Sequence, residues 1–79
     1  MTVEQLRRML KVRPFMPFHI HLADSRAVLV KHPELVAFSG SGRTIHVFED
    51  STYEEIIDLL LVTSLKPVKP GDVRRNNGN

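Results

Sequence analysis

The stretch STYEEIIDLLLVTSLKPV, residues 51–68, decides the fold of this chain because it is compatible with one helix or with two strands. Six of the seven residues from 56 to 62 are apolar, which suits a short strand buried on both faces as well as a buried helix. The run that follows, up to a proline at position 67, is rich in β-branched residues and favours strands. We therefore predict two short strands joined by a tight turn near residues 58–60.

The alternative for this stretch is a single helix. Ser51 with Glu54, or Thr52 with Glu55, would cap its start, because each pair has the spacing at which two side chains satisfy backbone donors of the first turn. The apolar face of such a helix would carry Ile56, Ile57, Leu60 and Leu61.

A β-hairpin is predicted upstream of this stretch. Residues 15–22 alternate between apolar and polar side chains, residues 23–26 supply turn chemistry, and residues 27–31 return as the second strand. Pro14 and Pro17 cannot donate to a ladder, so the start of the first strand should lie at an edge or outside the sheet. The inward face of that strand would carry Met16, Phe18, Ile20 and Leu22.

A second hairpin is predicted beyond the His32-Pro33-Glu34 sequence, which interrupts the strand before it. Residues 35–39 resume extended structure, Gly40-Ser41-Gly42 turns the chain, and residues 44–49 return.

A short helix is predicted at the N-terminus. Thr2 and Gln5 have the spacing of a capping box, and Pro14 ends the helix because the residue before a proline is pushed out of the helical region. Its apolar stripe consists of Val3, Leu6, Met9 and Leu10.

Together these elements predict an α+β fold in a single domain, residues 1–69. A short N-terminal helix precedes a small, strongly bent antiparallel β-sheet or barrel of five or six strands, and the helix covers one open end of it. Residues 70–79 are polar and rich in glycine and asparagine, so we predict a disordered tail there.

The small size and the lack of cysteine predict self-association. A chain of 79 residues buries only about 60% of the surface that its unfolded form exposes, and no disulfide can compensate for this. We therefore expect a homo-oligomer. No apolar run approaches the ~18 residues that span a bilayer, and charged residues stand where a signal peptide would be apolar, so we expect a cytoplasmic protein without a membrane partner.

No constellation of residues predicts an enzyme, and we expect no catalytic residue, no metal and no cofactor. His19 and His21 would lie on the same side of one strand, but no third ligand is placed near them by the sequence. The acidic residues around position 50 indicate a solvated loop that discourages edge-to-edge strand pairing; they are Glu49, Asp50, Glu54, Glu55 and Asp58.

Basic residues at the N-terminus form the candidate binding site. The net charge is +3 in residues 1–13, −4 in residues 14–65 and +3 in residues 66–79. A helix brings such basic side chains close together on its surface. Clusters of this kind neutralise the phosphates of RNA or another polyanion. The alternative is ordinary solvated charge. The candidate residues are Arg7, Arg8, Lys11 and Arg13.

Two functions from different classes follow from these observations. The first is a self-associating binding module that binds RNA or another polyanion through the basic helix face. The second is a protein-interaction or structural subunit, in which an extended partner is added to an edge of the sheet. Residues 56–62 have more apolar surface than so small a core needs, which favours association of this stretch between subunits.

The chain resembles a group of short bacterial proteins for which we know no activity. The shared motifs cover residues 1–68, and they imply no function. They are Arg13-Pro14-Phe15-Met16-Pro17-Phe18, Ala23-Asp24-Ser25-Arg26, His32-Pro33-Glu34, Gly42-Arg43 and Ile57-Asp58-Leu59-Leu60-Leu61-Val62-Thr63-Ser64.

A looser resemblance connects the chain with Sm-like proteins such as Hfq, whose small barrels are also SH3-like. These proteins place a short helix before a bent five-stranded barrel and form rings that bind RNA, and residues 58–67 are similar to their last turn and strand. This resemblance implies ring assembly and an RNA partner. It does not imply the uridine-binding pore, because Leu59 and Leu60 stand where that pore has a lysine-histidine pair, and one strand too many is predicted.

Overall fold

A computed structural model describes residues 1–49 and 53–68 of the chain. Within these residues one α-helix is followed by six strands, and two short 3-10 turns, Pro33–Leu35 and Leu59–Leu61, connect strands. The elements are α1 (Val3–Lys11), β1 (Phe18–Leu22), β2 (Ala27–Val30), β3 (Val36–Phe38), β4 (Thr44–Phe48), β5 (Glu54–Asp58) and β6 (Val62–Pro67).

The strands form two antiparallel sheets of three strands each, in the orders β2-β1-β6 and β3-β4-β5. The α+β class is confirmed, and the described strands number six, within the predicted five or six. Of the two predicted forms, a bent sheet or a barrel, the closed barrel is wrong, because these strands form two separate sheets. Pro33 explains the break between the sheets. It opens the 3-10 turn between β2 and β3, and because it has no N–H it cannot continue a ladder. In the described part of the chain, β5 and β6 remain edge strands.

The strand interpretation of residues 51–68 is confirmed wherever these residues are described. β5 and β6 are separated by the 3-10 turn Leu59–Leu61, and the Asp58 carboxylate accepts a hydrogen bond of 2.9 Å from the N–H of Leu60 at the start of that turn. The helical alternative is therefore wrong for residues 53–68. Ser51 and Thr52, its proposed caps, lie outside the described residues.

The core follows the predicted alternation, with one exception. Phe18, Ile20 and Leu22 of β1 are buried, but Met16 remains 42% exposed and precedes the strand. The reason lies in Pro17, which has no N–H to donate, so the ladder begins after it. The prediction that the start of this segment lies outside the sheet is confirmed. The largest fully buried side chains are Phe18, Leu6, Ile20, Ile45, Val30 and Val47.

The predicted capping box is present at the start of α1. The N–H of Gln5 donates to Thr2 Oγ1 at 3.3 Å, and the N–H of Thr2 donates to Gln5 Oε1 at 3.0 Å. Leu6 and Leu10 are buried in the common core, so the helix is anchored by its apolar stripe.

Two contacts place α1 beside the β3–β4 hairpin. Gly42 adopts a φ of 74°, and a Cβ built there would lie 3.4 Å from Val3 Cγ2. One turn further along the helix, the Arg7 guanidinium lies 4.4 Å from the centroid of the Phe38 ring. The helix therefore packs against the second sheet through its exposed as well as its apolar residues.

Within the described ranges, no helix has both the length and the apolar character needed to cross a bilayer. The cytoplasmic location stays a prediction. The predicted disordered tail, residues 70–79, lies outside the described residues.

Candidate functional site

A groove of about 300 Å³ runs between the β1–β2 turn and strand β5, and we call it the edge groove. Its floor and walls are mostly aliphatic, and charged side chains stand at its rim. It therefore combines apolar surface with charge, as ligand grooves in proteins commonly do. The lining residues are Leu22, Ala23, Asp24, Arg26, Ile56, Ile57, Asp58 and Leu61.

The β1–β2 turn forms one wall of the edge groove. The N–H of Leu22 donates to the carbonyl of Arg26 at 2.8 Å, and the N–H of Ser25 donates to the carbonyl of Leu22 at 3.0 Å. Ser25 has a φ of 76°. This is the three-residue hairpin loop in which a tight turn is followed by one left-handed residue. The N–H of Arg26 also donates to Asp24 Oδ1 at 3.1 Å, which fixes the carboxylate at the rim.

An ion-pair triad connects the two walls of the groove. Arg26 Nε lies 2.9 Å from Asp24 Oδ2 within the turn, and Arg26 Nη1 reaches across to a carboxylate oxygen of Glu55 on β5. The pKa of Asp24 is held below its usual value by the backbone N–H of Arg26 and then by its guanidinium. The pKa of Arg26 is raised, chiefly by its hydrogen bond to Glu55. Both shifts favour the charged forms of Asp24 and Arg26 at neutral pH.

The other wall is a strand edge whose outward backbone groups pair with no strand among the described residues. The N–H of Glu49 donates to the carbonyl of Tyr53 at 3.1 Å, and the N–H of Leu59 donates to the carbonyl of Arg43 at 2.9 Å. Antiparallel ladders alternate, so residues 53, 55, 57 and 59 bond to β4 and the residues that flank it, and the backbone groups of the residues between them point away from the sheet. These outward residues are Glu54, Ile56 and Asp58, and among the described residues β5 has no strand on that side.

Three large aliphatic side chains are exposed beside this edge, and we call them the apolar ridge. Ile56 is 63% exposed, Leu60 is 81% exposed and Leu61 is 54% exposed. Their neighbours Ile57 and Leu59 are buried, so the chain alternates between core and solvent through β5 and the turn that follows. The excess of apolar residues at 56–62 was the sequence signal for this surface. The groove itself had no such signal, because its other wall is formed by residues 22–26.

The basic residues predicted to bind nucleic acid are only partly brought together. Arg8 and Lys11 are exposed in the last turn of α1, three residues apart and hence on one side of the helix. Arg7 stacks on Phe38 of the second sheet. Arg13 donates from Nη1 to the carbonyls of Leu10 and Val12, both at 3.0 Å. In residues 1–49 and 53–68 none of the four bases pairs with a carboxylate.

The histidines and the acidic residues form no metal centre in the described ranges, where no three His, Asp or Glu side chains are placed to share an ion. His19 and His21 lie edge to face with ring centroids 6.1 Å apart. His46 is hydrogen-bonded to Glu54 through Nδ1. The predicted acidic loop is largely part of β5, since Glu54 and Glu55 belong to that strand; Asp50 lies outside the described residues.

No protein-family model, no curated protein and no solved structure matches this chain. The two resemblances inferred from its motifs therefore stay predictions. The functional argument rests on the geometry of the edge groove, the apolar ridge and the basic residues of α1.

Proposed function

We propose that this chain is a non-enzymatic binding module that accepts an extended segment of a partner protein in the edge groove. The segment would add to the free edge of β5 as a further strand. The observation that supports this is the row of outward backbone groups at Glu54, Ile56 and Asp58, directly beside an aliphatic groove. In this binding mode main-chain hydrogen bonds give affinity, and pockets for alternate side chains give specificity.

The energetics favour such an addition. Each net hydrogen bond contributes about 0.5–1.5 kcal/mol, so a strand that pairs with three residues gains a few kcal/mol from its backbone. Covering the Ile56 side chain, which is 63% exposed, removes apolar surface from water as well. Both contributions oppose the entropy lost when the segment becomes ordered.

The carboxylates of the groove support binding rather than acid catalysis. A general acid that works near neutral pH needs a raised pKa. The pKa of Asp24 is lowered by its bonds to Arg26, and the Asp58 carboxylate accepts the N–H of Leu60. Both groups are exposed at the rim.

The test uses Ile56→Pro and Ile56→Thr as a matched pair. Both variants remove the isoleucine, but only proline removes the outward N–H, and proline is tolerated where an edge N–H faces solvent. The probe is the peptide Thr-Ser-Thr-Val-Thr-Ser-Thr, titrated into ¹⁵N-labelled protein at millimolar concentration. We expect amide shifts along β5 and the β1–β2 turn in the wild type and in Ile56→Thr, and their loss in Ile56→Pro. Equal binding of this peptide by both variants would contradict the proposal, as would a wild-type protein that binds neither this peptide nor a charged version of it.

A second candidate function is a self-associating module that binds RNA or another polyanion through α1. The favouring observation is that Arg8 and Lys11 are exposed and have no carboxylate partner within the described part of the chain. Arg7 and Arg13 lie close to them in the sequence, and neither guanidinium pairs with a carboxylate of residues 1–49 and 53–68. Self-association is supported by the exposed Leu60 and by the small core of a chain this short. The resemblance to Sm-like proteins supports the same candidate.

This candidate is tested with a fluorescent single-stranded RNA and with light scattering. Replacing Arg8 and Lys11 together by alanine should weaken binding and lower the slope of log K against log salt by about 0.7 per lost phosphate contact, whereas Lys31→Ala should not. Light scattering at high micromolar concentration should give a mass above one chain, reduced by Leu60→Ser and unchanged by Val12→Ser. RNA binding that does not depend on salt, together with a monomeric mass, would refute this candidate.

A further inference from the structure

We infer that the segment bound in the edge groove carries the pattern base, any residue, apolar residue, any residue, base. This inference rests on the proposed function and names the chemistry of its partner. It follows from the order of side chains on the free edge of β5, where Glu54 and Asp58 stand on either side of Ile56.

The spacing of these three residues sets the spacing in the partner. Alternate residues of a strand share one face, so Glu54, Ile56 and Asp58 project to the same side of the sheet, opposite to the buried Ile57. Directly opposite residues of an added strand have Cβ atoms about 4.5–5.5 Å away on that face. The partner therefore meets a carboxylate, an aliphatic side chain and a second carboxylate. Because the pattern is symmetric, a parallel and an antiparallel segment both place a base opposite each acid.

The surrounding charges favour a basic partner. Among the described residues, four carboxylates belong to β5 and the groove rim, and one guanidinium, that of Arg26, lines the groove. The carboxylates are those of Glu54, Glu55, Asp58 and Asp24. Arg26 is already bound by Asp24 and Glu55, so it offers little to an acidic partner. His46 of β4 is hydrogen-bonded to the Glu54 carboxylate through Nδ1.

A second copy of this chain does not fit the same edge. If two β5 strands paired with Ile56 opposite itself, Glu54 of each copy would face Asp58 of the other, and like charges directly opposite each other are destabilising. Among the bases of the chain, only Arg7 and Lys11 have the required spacing around an apolar residue, and both lie in α1. The partner is therefore an extended segment of another polypeptide.

The test compares three peptides that differ only in charge. They are Thr-Lys-Thr-Val-Thr-Lys-Thr, the serine peptide used above, and Thr-Glu-Thr-Val-Thr-Glu-Thr, each titrated into ¹⁵N-labelled protein. Two cross-strand charge pairs predict that the lysine peptide binds roughly 2- to 30-fold more tightly than the serine peptide, and the glutamate peptide more weakly than both. The difference should shrink with added salt, and the amide shifts should centre on β5.

A charge-neutral variant isolates the two acids. Glu54→Gln combined with Asp58→Asn keeps side-chain oxygens that accept hydrogen bonds, and it should abolish the preference for the lysine peptide. Glu34→Gln, in the turn before β3, should leave that preference intact. If the serine and lysine peptides bind equally at β5, or if the lysine peptide shifts amides elsewhere, this inference fails and the proposed function stands. If none of the three peptides binds, both fail.

Discussion

Single residues determine the shape of the groove, and Ser25 is the clearest example. Its φ of 76° is a left-handed conformation, which costs a residue with a Cβ roughly 1–2 kcal/mol and costs glycine far less. The loop geometry requires it, because the tight turn before it must be followed by one left-handed residue to rejoin β2. Asp24 and Arg26, the charged residues of the groove rim, flank this position.

Ser25→Gly should therefore stabilise the protein by about 0.5–1 kcal/mol, since the strain that it relieves exceeds the extra chain entropy of a glycine in the unfolded state. Chemical denaturation of the two proteins measures this difference. Ser25→Ala is the control, because it removes the hydroxyl and retains the Cβ, so it should bring no gain. A loss of stability in the glycine variant would show that the loop does not need a left-handed residue.

At the scale of elements, local signals agree with the structure where a motif is short and self-contained. The capping box of Thr2 and Gln5 begins α1, because its partners are three residues apart and need no other part of the chain. For residues 53–68 the β-branched run and the proline favoured strands, and the chain forms β5 and β6 there. Met16 was expected on the inward face of β1 but precedes the strand, since the alternation of apolar residues alone does not show where the ladder of hydrogen bonds begins.

Thr2→Ala removes the acceptor for the N–H of Gln5, and we expect it to cost about 1 kcal/mol in the free energy of unfolding. Thr2→Ser keeps a hydroxyl and should stay within a few tenths of the wild type. Thermal or urea unfolding followed by circular dichroism provides the measurement. Equal stability of the alanine and serine variants would mean that the cap contributes nothing measurable.

At the scale of the whole molecule, the helix and both sheets share one core. Leu6 of α1 is 1% exposed and belongs to the same cluster as Ile20 of the first sheet and Ile45 of the second. The free energy of unfolding of a folded domain is only about 5–15 kcal/mol. The free energy lost when one such side chain is removed is therefore a large fraction of the total stability of the domain.

Leu6→Ala should cost about 2–5 kcal/mol, from lost burial and from the cavity that it leaves. Met16→Ala, at a 42% exposed position outside the sheets, should cost far less. The unfolding midpoint in urea compares the two. If both variants lost the same small amount, the helix would not be an integral part of the core.

The sequence by itself determined the helix start, the hairpins and the excess of apolar surface at residues 56–62, and it favoured two strands over a helix for residues 53–68. Each of these depends on interactions between residues that are close along the chain. Only the tertiary structure decided that Pro33 separates two open sheets, where one bent sheet or barrel was predicted. It also decided that residues 22–26 and β5, about thirty positions apart, form the two walls of one groove. Long-range pairing of this kind is set by how the sheets pack, and no local pattern encodes it.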